Sequence, residues 1–106
     1  MKITNPIIAP EKLTDYLLMQ RPRGDKSGYL QRGGYTEDHA ETLRDALIDL
    51  AATGDAEESR SDRFGTRYKL PGQLKCPNGR TLGVVTIWMR KADGRFHFIM
   101  LVPSGP

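Results

Sequence analysis

Two Asx-Gly pairs, Asn78-Gly79 and Asp93-Gly94, each stand between runs of alternating apolar and polar residues. Nothing else in the chain limits its folding options as much. A type I′ turn needs positive φ at both central positions, which Asn, Asp and Gly tolerate. Residues 81–102 therefore read as two antiparallel strands closed by Asp93-Gly94, and the strand that begins at Phe64 joins them through Asn78-Gly79. Counting outward from a two-residue turn pairs Arg90 with His97, Met89 with Phe98, Trp88 with Ile99 and Ile87 with Met100. The same count from Asn78-Gly79 pairs Leu70 with Ile87, Lys69 with Trp88, Tyr68 with Met89 and Arg67 with Arg90. Pro71 and Gly72 mark this third strand as an edge or bulged strand.

Strand side chains alternate between faces. The expected core face carries Tyr68, Leu70, Val85, Ile87, Met89, Phe96, Phe98, Met100 and Val102. The expected polar face carries Arg67, Lys69, Thr86, Trp88, Arg90, Arg95 and His97. A register slip of one residue would exchange the two faces.

Upstream the apolar period changes to that of helices. Pro10 suits a first helical turn, with Leu13, Tyr16 and Leu17 at helical spacing and a stop before Arg21-Pro22. Ile3, Ile7 and Ile8 precede it as an extended edge segment or a cover for the core. The second helix is the clearer one. Thr36 is its N-cap, Gly54 its left-handed stop, and Ala40, Leu43, Leu47, Leu50 and Ala51 share one face. Residues 21–34, basic and rich in glycine, read as a solvated connection, and residues 55–62 as a polar one. The expected architecture is α+β: two N-terminal helices packed on one face of a C-terminal antiparallel meander of three or more strands, in a single domain over residues 1–106.

Charge is unevenly placed. Residues 36–58 hold eight acids against Arg44, whereas residues 59–106 hold nine bases against Asp62 and Asp93. That basic half points to an anionic partner. No run approaches the ~18 apolar residues of a membrane span, and residues 1–10 lack the apolar region of a secretion signal. A cytoplasmic protein without membrane contact is expected. The single cysteine, Cys76, excludes an internal disulfide and a cysteine-rich metal site.

The residues of the expected polar face suit phosphodiester chemistry. An imidazole such as that of His97 can take a proton from a ribose 2′-hydroxyl. Guanidinium groups at Arg67, Arg90 and Arg95 can clamp a phosphate and stabilise growing negative charge. Trp88 can stack on an unpaired base, Thr86 can hydrogen-bond a phosphate oxygen, and Lys69 adds charge. Such chemistry calls for no metal and no cofactor. His39, alone in the first turn of the second helix, reads as having no catalytic role.

Several runs together resemble a family of small uncharacterised bacterial proteins. They are Arg23-Gly24-Asp25-Lys26, Gly34-Tyr35-Thr36, Phe64-Gly65-x-Arg67-Tyr68 and Val85-Thr86-Ile87-Trp88. The resemblance covers nearly the whole chain, with Phe64 where tyrosine is commoner, and it places Lys26, Arg67, Thr86 and Trp88 on the family pattern. His97 falls outside that pattern, and Lys26 or Tyr68 would then substitute as acid or base. Helices followed by an antiparallel sheet also resemble, more distantly, the barnase–EndoU–colicin–RelE group of ribonuclease toxins. The resemblance implies a toxin-like, metal-independent endoribonuclease domain acting on RNA, with a cognate inhibitor or partner protein. Taken with the reading of the polar face, His97, Arg90, Arg67 and Lys26 are expected to be catalytic, and Trp88, Thr86, Lys69 and Arg95 to bind nucleic acid. The alternatives are a non-catalytic nucleic-acid-binding module, or a structural or partner-binding protein of a phage or toxin–antitoxin locus.

Overall fold

In a computed structural model, residues 2–13 and 27–104 are described. The chain turns helical at residues 10–13. The rest of the first expected helix, with Tyr16 and Leu17, lies outside the described residues, as does Lys26. Next come α1 (Ser27–Gln31), a 3-10 turn (Glu37–His39) running into α2 (Ala40–Thr53), and four strands. The strands are β1 (Glu57–Asp62), β2 (Gly65–Lys75), β3 (Thr81–Arg90) and β4 (Phe96–Pro103). They form one antiparallel meander in the order β1-β2-β3-β4.

Helix α2 starts as its sequence predicts. Thr36 has extended backbone, its hydroxyl accepts from the N–H of Asp38 at 3.3 Å, and His39 Nδ1 accepts from the N–H of Thr36 at 3.0 Å. The imidazole thus fills the role that Glu takes in an ordinary capping box. Leu43, Leu47, Leu50 and Ala51 are buried, and α2 packs against β2. Gly54 is not left-handed: its φ is −82° and its N–H reaches Leu50 O at 2.8 Å. Crowding is the reason for glycine there, since a Cβ would lie 2.8 Å from Leu70 Cδ2.

Both hairpins exist where the Asx-Gly pairs place them, but each loop has three residues instead of two. The N–H of Cys76 reaches Arg80 O around Pro77-Asn78-Gly79, and the N–H of Lys91 reaches Arg95 O around Ala92-Asp93-Gly94. Glycine takes the third, left-handed position each time, with φ of +85° at Gly79 and +78° at Gly94. This is the commonest alternative to the two-residue loop, and it moves every pair by one. Leu70 therefore faces Thr86, Lys69 faces Ile87, and Arg67 faces Met89 instead of Arg90. On the other side Arg90 faces Phe96, Met89 faces His97 and Trp88 faces Phe98. Ile99 then bulges out of β4, and the ladder resumes with Ile87 opposite Met100, as the sequence count had it.

The slip exchanges the faces of β3. Thr86 and Trp88 are wholly buried beside Val84, while Val85 and Ile87 are half-exposed on the side away from α2. Beyond the bulge Leu101 enters the core and Met100 turns outward with Val102. Tyr68, Leu70 and Phe98 are buried as expected, and Phe96 packs against the same core.

Two segments read as connections are elements. Helix α1 lies in the basic loop and buries Leu30, and the Tyr29 hydroxyl beside it donates to Gly83 O at 2.7 Å. Strand β1 is exposed along its whole length and pairs with β2 as a charged edge. Its ladder ends at Glu57 opposite Lys69, so Pro71 lies where β2 has β3 as its only partner. At the other edge Ile7 makes a parallel bridge to His97, its N–H reaching Phe96 O at 2.8 Å. Ile3 and Ile8 are buried, so the N-terminal stretch both lines an edge and covers the core.

Candidate functional site

Pairing across the ladders sets one row on the outward face of the sheet: Arg60 on β1, Arg67 on β2, Met89 on β3 and His97 on β4. Directly opposed residues of antiparallel strands share a face, so these four side chains point to one side. Arg60 reaches the row because Ser59 bulges out of β1 between the Glu58 and Arg60 pairs. Met89 is nearly buried yet stands apart from the core cluster, forming a floor between Arg67 and His97. Two strand spacings separate the Arg67 and His97 backbones, about 10 Å.

Arg60 and Arg67 face each other with no carboxylate partner among the described residues. The Nε of Arg67 is shielded from solvent and has no hydrogen-bond partner. Opposed like charges destabilise a sheet, and an anion shared between them would remove that cost.

His97 leans on Asp93. Its Nε2 lies 3.2 Å from Asp93 Oδ2, and four-fifths of its side chain is covered. The N–H of Arg95, donating to Asp93 Oδ1 at 2.8 Å, holds the Asp93 carboxyl below its ordinary pKa, and His97 adds to the shift. An ionised carboxylate only accepts, so Nε2 is the ring atom that donates to it, and in a neutral ring the lone pair is then on Nδ1. The hairpin tip thereby orients the imidazole ring. Asp93 was legible as a turn residue only; its second role depends on the loop bending it back over His97.

The expected residues thus separate into groups. Arg67, Lys69, Arg95 and His97 lie on the outward face or its end, with Lys69 in the next row opposite Glu57 and Ile87. Arg90 faces Thr66 and Phe96, on the other side of the sheet, and lines a cleft of about 310 Å³ with Arg63, Phe64 and Lys91. Trp88 and Thr86 are in the core, the indole N–H donating to Thr86 Oγ1 at 2.8 Å and that hydroxyl to Leu70 O at 3.0 Å. This removes both from a surface that could touch nucleic acid. Tyr68 is also buried, edge-on to Phe96 at 5.3 Å. His39 is occupied as a helix cap.

Six bases, Arg60, Arg63, Arg67, Arg90, Lys91 and Arg95, gather at this end of the sheet. The two acids there are held by the turns, Asp62 accepting from the N–H of Phe64 and Asp93 from that of Arg95, both at 2.8 Å. Elsewhere some charges are paired, Lys75 with Asp49 and Lys2 with Asp55. Among the described residues no helix is long and apolar enough to cross a membrane.

No protein of curated function matches the chain in sequence. In three dimensions it is similar to a chain of a contact-dependent growth inhibition toxin–immunity protein complex from Klebsiella pneumoniae 342. The TM-score is 0.73 at 14% identity, covering 92% of this chain and 99% of that one. At that identity the likeness is one of fold. The domain of unknown function DUF6883 matches residues 2–103, and by that match the chain belongs to the DUF6883 family.

Proposed function

We propose that this protein is a toxin-like endoribonuclease domain whose reaction centre is the outward row Arg60–Arg67–Met89–His97. The observation that carries the reading is the two opposed arginines, without a carboxylate partner among the described residues, in one row with an imidazole oriented by Asp93. His97 Nδ1 takes the proton of a ribose 2′-hydroxyl, and O2′ attacks the adjacent phosphorus. The P–O5′ bond breaks, leaving a 2′,3′-cyclic phosphate, and the leaving 5′-oxygen takes a proton from solvent. Arg60 and Arg67 bind the non-bridging oxygens and stabilise the extra negative charge of the pentacoordinate state. Lys69 and Arg95 add long-range attraction for the RNA backbone. The sixfold basic cluster and the fold shared with a member of a toxin–immunity complex support the same reading. A partner that blocks the row would act as its inhibitor.

The test is cleavage of single-stranded RNA by the purified protein in the presence of a chelator, with products separated by gel and their ends mapped. The expected result is cyclic-phosphate ends for the native chain and a loss of roughly 100-fold or more in His97→Ala, the scale of general acid–base catalysis. Cleavage by His97→Ala at the native rate would exclude this mechanism.

A further inference from the structure

The cleft at the β1–β2 turn contains groups that the row Arg60–His97 leaves unused. Phe64 is 63% exposed at its mouth, the large apolar side chain that the described fold leaves outside the core. The Arg63 guanidinium sits 4.9 Å from the centre of its ring, so one cation already marks the ring as a stacking surface. Arg90 and Lys91 line the same cleft, and neither has a carboxylate partner among the described residues.

The tip is held in place. Asp62 Oδ1 accepts from the N–H of Phe64 at 2.8 Å, and the Ser61 and Thr66 hydroxyls meet at 2.9 Å across the strand ends. Gly65 has φ of +141°, and a Cβ on it would lie 2.3 Å from Arg90 O. Only glycine lets the turn press so closely on the end of β3, and this holds the turn backbone that carries Phe64 against the end of β3.

We propose that this cleft is a nucleotide subsite for single-stranded RNA: an unpaired base stacks on Phe64 while Arg90 and Lys91 hold the phosphate next to it. Bases within a duplex are already stacked on one another and do not offer a face, which restricts the ligand to unpaired segments. The subsite rests on the ribonuclease reading above, since it binds the same RNA strand at the end of the sheet that carries the outward row. It also gives a use to Arg90, which lies on the other side of the sheet from His97 and has no carboxylate partner among the described residues.

The test is binding of a fluorescent 2′-O-methyl oligouridine, whose methylated 2′-oxygen cannot act as the nucleophile, followed by anisotropy. Phe64→Ala should weaken binding roughly 5- to 100-fold, the range that loss of one stacked base gives, and Phe64→Tyr should restore it. An oligomer of the same backbone without bases should bind Phe64→Ala and the native chain equally. Phe64 is exposed, so these variants keep the core intact. Native affinity in Phe64→Ala, with RNA still cleaved, would overturn the subsite and leave the ribonuclease reading standing. Phe64-dependent binding without cleavage of unmodified RNA would keep the subsite and overturn the catalytic reading. No binding at all would overturn both.

Discussion

The indole N–H of Trp88 donates to the hydroxyl of Thr86 at 2.8 Å, and that hydroxyl donates onward to Leu70 O at 3.0 Å. All of it is buried, and the chain joins β3 to β2 beneath α2. Thr86→Val keeps the shape but leaves the indole donor unsatisfied, so a loss of about 1–3 kcal/mol is expected in urea denaturation. Thr86→Ser should retain most of the stability. Trp88→Ala should cost about 3–5 kcal/mol by cavity formation. Equal stability in Thr86→Val and the native chain would mean that the relay contributes nothing.

Arg60 opposite Arg67 makes a prediction of opposite signs. Arg60→Met removes a like-charge cross-strand pair and should leave stability unchanged or raise it by up to about 1 kcal/mol. The same change should weaken RNA binding, with the salt dependence of log K falling by roughly one. Thermal melts and anisotropy over a salt series measure the two effects. A variant that loses stability without losing RNA affinity would show that the arginines support the sheet alone.

Asp93 is a carboxylate whose folded-state pKa is depressed, first by the N–H of Arg95 and then by His97. A depressed pKa contributes stability that is present above the ordinary carboxylate value, about 3.9, and disappears as pH falls through the folded value. The Ala92–Gly94 tip should therefore loosen only below about pH 4. The Arg95 amide, followed by NMR in acid titration, should shift in that window and should lose the transition in Asp93→Asn. Asp93→Asn should also slow RNA cleavage without changing affinity, because the ring of His97 loses its orientation.

Gly65 and Gly94 both have positive φ, but their surroundings differ. A Cβ on Gly94 meets nothing within 4 Å, so Gly94→Ala should cost only the left-handed backbone penalty, about 1–2 kcal/mol. On Gly65 it would meet Arg90 O, and Gly65→Ala should cost clearly more and displace Phe64. Melting temperatures of the two variants rank these effects directly.

Local chemistry determined where this chain turns, caps and changes period. Thr36 starts a helix because its hydroxyl satisfies an orphan N–H, and Asn78-Gly79 and Asp93-Gly94 reverse the chain because glycine tolerates positive φ. The leucines of α2 at helical spacing identify its buried face for the same local reason. Strand β1 was not legible, because six exposed polar residues carry no apolar alternation and are strand only by pairing with β2. The choice of a third residue in each hairpin loop was also hidden, since the same dipeptides serve both loop lengths. Side chains alternate with a period of two, so that one residue put Trp88 inside and lined up Arg60, Arg67 and His97 outside. Packing made the decision: burying Trp88, Val84 and Leu101 under α2 favours this register, and the basic row follows from it.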